Sequence, residues 1–253
     1  MTLPSPKNIV AIIPSRFGSS RFEGKPLARI GGLPMIQHVA ERAASAPAVA
    51  AVYVATDDRR IADAVSTFGG RAVMTSERNR SGTDRVAEAA EKLQLDDEDI
   101  VINVQGDQPL MNPRCLEQLL APLKAGEEEV EMSTLAYRIV DRSEITNPKD
   151  VKVVFAENGR ALYFSRSPIP CAREHETDFD TFKHLGFYAY TNRFLQRFRS
   201  WPTGRLEQIE KLEQLRALEQ GHSIAVVVTE FDSPEVDLPE DILRIEQRLR
   251  KGD

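Results

Sequence analysis

The first half of the chain alternates short apolar runs with longer stretches in which apolar residues recur at helical spacing. The apolar runs are residues 8–13, 51–55, 71–74 and 100–104. Helical spacing covers residues 34–46, residues 58–68 and the stretch that contains Val86, Ala89, Ala90 and Leu93. Strands that alternate with helices in this way form βαβ units around a mostly parallel sheet. The alternation therefore predicts an α/β fold with a Rossmann-like sheet flanked by helices.

The stretch over residues 58–68 shows the start and stop signals of a helix. Asp58 stands at its beginning, and Ile61, Val65 and Phe68 follow at spacings of i, i+4 and i+7. Two glycines come directly after Phe68. Aspartate is a favoured N-cap and glycine commonly ends helices, so we expect Asp58 to cap this helix.

From about residue 130 the sequence changes to short β-type pieces separated by turns. The predicted strands are residues 131–139, 151–155, 161–164, 184–190 and 223–228, with a turn at Glu157-Asn158-Gly159. These pieces predict a β-rich antiparallel extension of the sheet. Apolar residues at every third position from Leu206 to Leu218 predict one helix, and residues 238–250 predict a closing helix. No composition break marks a linker, so we expect a single domain over residues 1–253.

Composition and charge argue against several classes of protein. Lys and Arg number 33 against 39 Asp and Glu, a net charge of −6, which disfavours a general nucleic-acid-binding surface. No apolar run approaches the roughly 18 residues of a membrane span, and the beginning of the sequence lacks a secretory signal pattern. We therefore expect a cytoplasmic protein without membrane insertion. Cys115 and Cys171 lie far apart and the four histidines form no H-x-x-x-H pair, which disfavours a disulfide scaffold and a zinc site.

Positive charge is nevertheless concentrated near the beginning of this acidic chain. Residues 1–30 contain the cations Lys7, Arg16, Arg21, Lys25 and Arg29 against the single acid Glu23. Three of the cations lie in the loop that follows the first predicted strand. Open α/β sheets bind ligands outside the carboxyl ends of their strands, so this loop is placed to meet an anion.

The basic loop lacks the spacing of a Walker loop. Gly18 and Gly24 are separated by five residues instead of four, and Pro26 stands where Ser or Thr would bind magnesium. The backbone N–H groups and two or three cations of such a loop could hold a triphosphate. An ordinary flexible basic loop would have the same composition, and the residues alone leave both interpretations open.

Two aspartates are candidates for a magnesium site. Asp107 follows the most apolar predicted strand, which places it at the same sheet edge as the basic loop. Asp237 precedes the closing helix. Aspartate and phosphate oxygens are ligands that Mg²⁺ prefers. The alternatives are a turn residue at Asp107 and a helix cap at Asp237, because Asp-x-Pro-Glu is typical of a capping box.

A series of motifs spans nearly the whole chain. The motifs are Ile13-Pro14-Ser15-Arg16-Phe17-Gly18-Ser19-Ser20-Arg21, Gly24-Lys25-Pro26-Leu27, Val54-Ala55-Thr56-Asp57-Asp58, Ser81-Gly82-Thr83-Asp84-Arg85, Val104-Gln105-Gly106-Asp107, Ala161-Leu162-Tyr163-Phe164-Ser165-Arg166, Lys183-His184-Leu185-Gly186, Leu212-Glu213-Gln214-Leu215-Arg216 and Val236-Asp237. In this order they resemble the motifs of the 3-deoxy-manno-octulosonate (Kdo) cytidylyltransferases, also called CMP-Kdo synthetases. An ordered series of this kind is far more specific than any one motif.

The resemblance implies a fold of the nucleotide-diphospho-sugar transferase type and an enzyme with two substrates. Residues 1–128 would form the nucleotide-binding half, and residues 129–253 the sugar-binding half, through which a homodimer would assemble. The enzyme would transfer CMP from CTP to a sugar acid with the help of Mg²⁺, releasing diphosphate, to make an activated sugar for lipopolysaccharide synthesis. No covalent intermediate is expected, because cations and a metal stabilise an in-line phosphoryl transfer without a protein nucleophile.

The same resemblance assigns roles to residues of the two halves. By position, Arg16, Arg21 and Lys25 correspond to triphosphate binders, Ser15, Ser81, Gly82 and Thr83 surround the cytosine, and Asp107 and Asp237 bind magnesium. The expected catalytic residues are Arg16, Lys25, Asp107 and Asp237. The expected acceptor residues are Gln105, Arg166, His184, Tyr188, Glu213 and Gln214. Without the resemblance, His184 would be interpreted as a structural histidine and Glu213 as a solvated helix charge.

Three segments depart from the family pattern. Phe22-Glu23 replaces Leu-Pro, Asn79-Arg80 replaces the usual His, and Gln108 replaces Glu in Gly-Asp-Glu-Pro. The Gln108 segment, residues 204–207 and residues 231–237 are more similar to the subgroup that activates 8-amino-3,8-dideoxy-manno-octulosonate. We therefore expect this amino sugar to be favoured over Kdo. The alternatives are Kdo itself, a CMP-sialate synthetase and a non-catalytic nucleotide-sensing module.

Overall fold

The computed structural model describes residues 8–18, 21–124, 130–174 and 179–251. Ser19 and Ser20 of the first motif lie outside the described residues. The strands are β1 Ile9–Ser15, β2 Arg29–Ile30, β3 Leu33–Pro34, β4 Ala51–Thr56, β5 Ala72–Met74, β6 Ile100–Asn103, β7 Met132–Arg138, β8 Lys152–Phe155, β9 Ala161–Ser165, β10 Phe182–Thr191 and β11 Ala225–Thr229. The helices are α1 Met35–Ala44, α2 Arg59–Thr67, α3 Gly82–Lys92, α4 Arg114–Lys124, α5 Ser143–Thr146, α6 Asn192–Ser200, α7 Arg205–Glu210, α8 Leu215–Glu219 and α9 Asp241–Lys251, with a 3-10 turn at Lys25–Leu27.

Nine of these strands form one mixed sheet within the part of the chain that the structure describes. Its order is β11-β7-β10-β6-β1-β4-β5, and the β8–β9 pair extends it from β10. Strands β6, β1, β4 and β5 are parallel to one another. Strand β10 lies antiparallel between β6 and β7, and β8 and β9 are also antiparallel. The expected parallel sheet with an antiparallel extension is confirmed.

Both faces of the sheet are covered, which explains why its central strands are continuous apolar runs. Ala11 and Ile13 of β1 pack into one core together with α1, α2 and α4. Val10 and Ile12 point to the opposite face and pack with α3 and α6. Successive side chains of a strand alternate between the two faces, so a strand buried on both sides has no polar positions. The described part of the chain contains no helix long and apolar enough to cross a membrane.

Most predicted elements are present within a few residues of their expected bounds. Asp58 caps α2 as predicted, since its Oδ1 accepts a hydrogen bond from the backbone N–H of Arg60 at 2.9 Å. The sequence patterns gave no prediction for α4 or α6, which the structure adds to the two faces of the sheet.

The prediction of one helix from Leu206 to Leu218 is wrong. The structure has two short helices, α7 and α8, and Lys211 between them adopts the left-handed conformation with φ of 54°. Apolar residues at every third position turn by about 60° per step around a helix, so one straight helix cannot bury them all on one face. The break leaves Ile209 exposed and lets Leu212 and Leu215 enter the core.

Candidate active site

A cleft of about 880 Å³ opens where the carboxyl ends of β1 and β6 meet the β-rich second half. All six expected acceptor residues line it: Gln105, Arg166, His184, Tyr188, Glu213 and Gln214. Arg21, Asp107 and Asp237 line it as well. Residues that are up to 216 positions apart in the sequence therefore meet in one concave site, as the motif series predicted.

Lys25 joins the two candidate metal carboxylates at the edge of the cleft. Its Nζ lies 2.7 Å from Asp107 Oδ2 and 4.0 Å from Asp237 Oδ1, and it donates to the carbonyl of Val236 at 3.0 Å. Arg21 Nη1 lies 3.1 Å from Asp237 Oδ2. Mg²⁺ is commonly bound by one or two carboxylates together with phosphate oxygens and water, so Asp107 and Asp237 fit a magnesium site.

The backbone around Gly24 brings Lys25 into this position. Gly24 has φ of 69°, and its N–H donates to the carbonyl of Phe17 at 2.9 Å, which closes the basic loop. A Cβ at this glycine would lie 3.1 Å from the Phe17 ring. Both the left-handed conformation and the close ring favour glycine at this position, directly before the lysine.

Asp237 does not cap the closing helix. The carboxylate of Asp241 accepts the backbone N–H groups of Asp237 and Leu238, each at 2.9 Å, and α9 begins at Asp241 itself. The side chain of Asp237 instead faces Arg21 and Lys25. The capping interpretation of Asp237 is therefore wrong, because Asp241 satisfies the backbone donors that precede the helix.

The expected cytosine residues lie at the ends of β1 and α3. Ser15 is buried and its Oγ has no hydrogen-bond partner in the described structure. Ser81 caps α3, since its Oγ accepts the N–H of Asp84 at 3.1 Å. The backbone N–H groups of Gly82 and Thr83 both donate to the carboxylate of Glu213 at 3.2 Å. Arg16 is exposed at the end of β1.

Glu213 therefore connects the two halves of the site. It is an expected acceptor residue, yet it binds the free N–H groups at the beginning of a helix from the nucleotide half. The positive end of the α3 dipole stabilises this carboxylate. Glu213 is a bound charge and not the solvated helix charge that its sequence context alone suggests.

His184 is neutral, and its contacts define which ring nitrogen carries the proton. Thr134 Oγ1 donates to the carbonyl of Phe187 at 2.7 Å, so it accepts from His184 Nε2 at 2.8 Å. His184 Nδ1 is then an acceptor for the Gln214 amide at 3.5 Å. Burial lowers the pKa of His184 to about 3. The ring both packs against Phe164 and lines the cleft, so the structural and functional interpretations are compatible.

Tyr188 and Gln105 are held on the same wall of the cleft. The hydroxyl of Tyr188 donates to Gln214 Oε1 at 3.0 Å, and burial raises the pKa of this phenol well above its ordinary value. Gln105 Nε2 donates to the carbonyl of Gly186 at 2.9 Å. Neutral donors and acceptors in fixed positions are what a polyol requires.

Arg166 stabilises the wall of the cleft by donating hydrogen bonds to main-chain carbonyls. Its guanidinium donates to the carbonyls of Glu210 at 2.7 Å and Pro148 at 2.9 Å, while its own N–H binds Glu210 Oε2 at 3.0 Å. It lies at the cleft surface as expected. The structure thus shows a supporting role for Arg166, and its pairing with a sugar carboxylate stays a prediction.

Glu235 is a cleft residue to which the motifs assigned no role. Its side chain reaches solvent within the cleft and accepts from Gln108 Nε2 at 3.3 Å. The surrounding protein and the neighbouring charges of Asp107 and Asp237 raise the pKa of Glu235 to about 8. Its position two residues before Asp237, in an extended segment, was the available signal, because such residues share one face.

The sequence profile of the family described as cytidylyltransferase matches residues 10–224. The chain belongs to the cytidylyltransferase family. This cytidylyltransferase is 62% identical, over 95% of its length and 97% of the relative's, to a 3-deoxy-manno-octulosonate cytidylyltransferase of Desulfosudis oleivorans. It is 56% identical, over 96% of its length and 99% of the relative's, to an 8-amino-3,8-dideoxy-manno-octulosonate cytidylyltransferase of Shewanella amazonensis.

Solved structures agree with this assignment. The cytidylyltransferase matches a CMP:2-keto-3-deoxy-manno-octonic acid synthetase complexed with CTP, with a TM-score of 0.90 and 42% identity over 98% of this chain and 100% of that one. It also shares its fold with a 4-diphosphocytidyl-2C-methyl-D-erythritol synthase, with a TM-score of 0.65 and 13% identity over 97% of this chain and 99% of that one. The protein is therefore a nucleotidyltransferase enzyme.

Proposed function

We propose that this cytidylyltransferase transfers CMP from CTP to a 3-deoxy-octulosonate sugar acid and releases diphosphate. The observation that carries the proposal is the single cleft in which both candidate metal carboxylates meet all six expected acceptor residues. Relatives that are named for Kdo-type acceptors and cover nearly the whole chain support the same acceptor class. A nucleotide-sensing module without turnover would be free to lose Lys25, Asp107 or Asp237, and all three are present and in contact.

The reaction requires that the anomeric hydroxyl of the sugar acid attack the α-phosphorus of CTP. In this proposal Asp107 and Asp237 hold Mg²⁺, which when bound supplies positive charge next to the phosphate oxygens. Lys25, Arg21 and Arg16 bind the triphosphate and stabilise the charge that develops on it. Gln105, Tyr188 and Gln214 orient the acceptor. Lys25 Nζ lies 2.7 Å from Asp107 and 4.0 Å from Asp237, so its ammonium is positioned beside the residues that would hold the ion.

The acceptor that we propose as favoured is the 8-amino sugar. The cleft walls carry the carboxylates of Asp150 and Glu213, which form no ion pair within 4.0 Å among the described residues. Gln108 distinguishes this cleft from one with the usual glutamate, since its neutral amide donates to Glu235 where a glutamate would place a second carboxyl group. An ammonium at carbon 8 is protonated near neutral pH and can bind such an acceptor, whereas a hydroxyl uses it less fully.

In a competition for limiting enzyme, we expect the 8-amino sugar to be used about ten- to a hundredfold more efficiently than Kdo, the value of one good polar contact. The CMP-sugar products are separated by mass, and diphosphate release is measured with each acceptor and with none. Equal use or a preference for Kdo would refute the amino-sugar preference and leave the Kdo-type activity standing. Diphosphate release without formation of either product would refute the proposed acceptor class.

Removing the Lys25 ammonium should weaken CTP binding more than acceptor binding. We expect Lys25→Ala to raise the KM for CTP by about tenfold or more, because a charged contact to phosphate is lost, and to change the KM for the acceptor little. The control is Arg29→Ala, which removes an exposed cation that donates to the carbonyl of Gly32 outside the cleft. Unchanged CTP kinetics in Lys25→Ala would return the loop to the interpretation of an ordinary basic loop.

A further inference from the structure

Lys183 lies on the wall of the cleft beside His184, and none of the roles derived above involves it. Its side chain is 9% exposed. The ammonium lies 2.8 Å from Glu144 Oε1 and 3.0 Å from Asp232 Oδ1. Two carboxylates from different parts of the chain therefore share one buried cation.

The two carboxylates belong to two different segments that line the cleft, α5 and the 230–240 segment, which we call its two rims. Glu144 lies on α5, a single short helix whose other residues are exposed or half-buried. Asp232 lies in the segment of residues 230–240 that connects β11 to α9 and carries Asp237. Residues of both rims line the cleft. The Lys183 ammonium thus forms a direct polar link between α5 and the 230–240 segment.

The strand that carries Lys183 is well anchored. In the sheet, Lys183 pairs with Tyr137 of β7 on one side and with Lys152 of β8 on the other. The next residue, His184, is fixed by Thr134 and faces the acceptor region. Lys183 is therefore fixed by the sheet, whereas Glu144 and Asp232 lie outside the sheet, on α5 and on the 230–240 segment.

We propose that Lys183 is a positioning residue that holds the two rims of the acceptor cleft at their binding distance. Without the ammonium, Glu144 and Asp232 would face each other as like charges, and Arg248, 3.8 Å from Asp232, would balance only one of them. The rims would then separate and widen the cleft that the acceptor residues line. The end of the 230–240 segment near Asp237 has its own anchors in Lys25 and Asp241, so the nucleotide site would change little.

This inference rests on the proposed function, because it is tested with the acceptor sugar. Steady-state kinetics with the 8-amino sugar and with Kdo give the KM for acceptor and for CTP, and calorimetry gives the Kd of CTP alone. We expect Lys183→Met to raise the acceptor KM about 10- to 100-fold, as for a displaced binding geometry, with less than about a threefold change in the Kd of CTP. Lys183→Arg keeps a cation between the rims and should recover most of the loss.

The charge mechanism has its own double variant. Lys183→Met combined with Glu144→Gln removes one of the two facing charges, so its acceptor KM should be lower than that of Lys183→Met alone. The matched control is Arg138→Met, which breaks the exposed pair between Arg138 and Asp180 at 3.3 Å on the neighbouring strand. We expect its acceptor KM to equal that of the wild type.

Three outcomes would overturn the role of Lys183. These are an unchanged acceptor KM in Lys183→Met, an equal rise in the Kd of CTP, and a double variant no better than the single one. If Lys183→Met does not fold, Glu144→Ala tests the same inference, because it removes only the contact between Lys183 and the half-exposed α5. An unchanged acceptor KM in Glu144→Ala would also overturn the inference. Wild-type enzyme that uses neither sugar would instead refute the proposed function, which separates the two failures.

Discussion

Asp107→Asn and Asp237→Asn should each reduce turnover about 100-fold or more while leaving the protein folded. Each substitution removes an anionic oxygen from the proposed magnesium site and keeps the size of the side chain. The cost in stability should be small, because the ion pairs with Lys25 and Arg21 are partly exposed and such pairs contribute about 0–1 kcal/mol. Turnover with CTP and the acceptor, compared with the melting temperature of the same sample, measures both effects.

The control for this pair of variants is Asp180→Asn. It makes the same chemical change at an exposed aspartate that pairs with Arg138 at 3.3 Å, away from the cleft. We expect wild-type turnover in the control. Wild-type turnover in a folded Asp107→Asn or Asp237→Asn would contradict the two-carboxylate site. A lower melting temperature with normal turnover would indicate that the mutated aspartate is only structural.

The structure explains why the first half of the fold was predictable from the sequence. Strand β1 is buried on both faces, so its continuous run of apolar residues directly indicates a buried strand. Helix α2 has its cap, its apolar stripe and its glycine stop within one short segment. These signals come from residues that are close together in the sequence, and a sequence pattern contains this kind of information. The alternating pattern therefore gave both the sheet type and the edge at which the site lies.

The second half was less predictable because long-range contacts determine it. The break between α7 and α8 depends on Lys211 and on a buried ion pair across the break, and neither changes the apolar spacing. The contact of Glu213 with Gly82 joins residues 131 positions apart. A single sequence gives no signal for such a pair. The homodimer, the cytoplasmic location and the single domain over residues 1–253 stay predictions.

The motif series carries long-range information from the family that local sequence patterns lack, while the roles it assigns to the site residues stay predictions. It placed Asp107, Asp237 and the acceptor residues together, as the cleft shows. It did not show that Glu213 binds the beginning of α3 or that Arg166 supports main-chain carbonyls. The motifs thus identified which residues lie together, and the structure adds which of their atoms form hydrogen bonds within the protein.

Arg216 is the buried charge on which the second half depends. It has no exposed surface, and it forms a two-pronged pair with Glu207 through Nε at 2.8 Å and Nη2 at 2.6 Å. Its Nη1 lies 3.3 Å from Asp84, which also binds Arg80 at 2.6 Å. Glu207 belongs to α7, Arg216 to α8 and Asp84 to α3. One guanidinium therefore connects both short helices to the helix that carries the expected cytosine residues.

Replacing Arg216 with Met should lower the free energy of unfolding by about 3–5 kcal/mol, because it leaves the buried carboxylate of Glu207 without its cation. For a chain of this size each kcal/mol corresponds to about 2–4 °C in melting temperature, so the shift should be easily measured in thermal and denaturant unfolding. The double variant Arg216→Met with Glu207→Gln tests the cause. It removes the stranded charge as well as the cation, so it should be more stable than Arg216→Met alone. Equal stability of the two variants would show that lost packing against the Phe198 ring, and not an uncompensated charge, accounts for the effect.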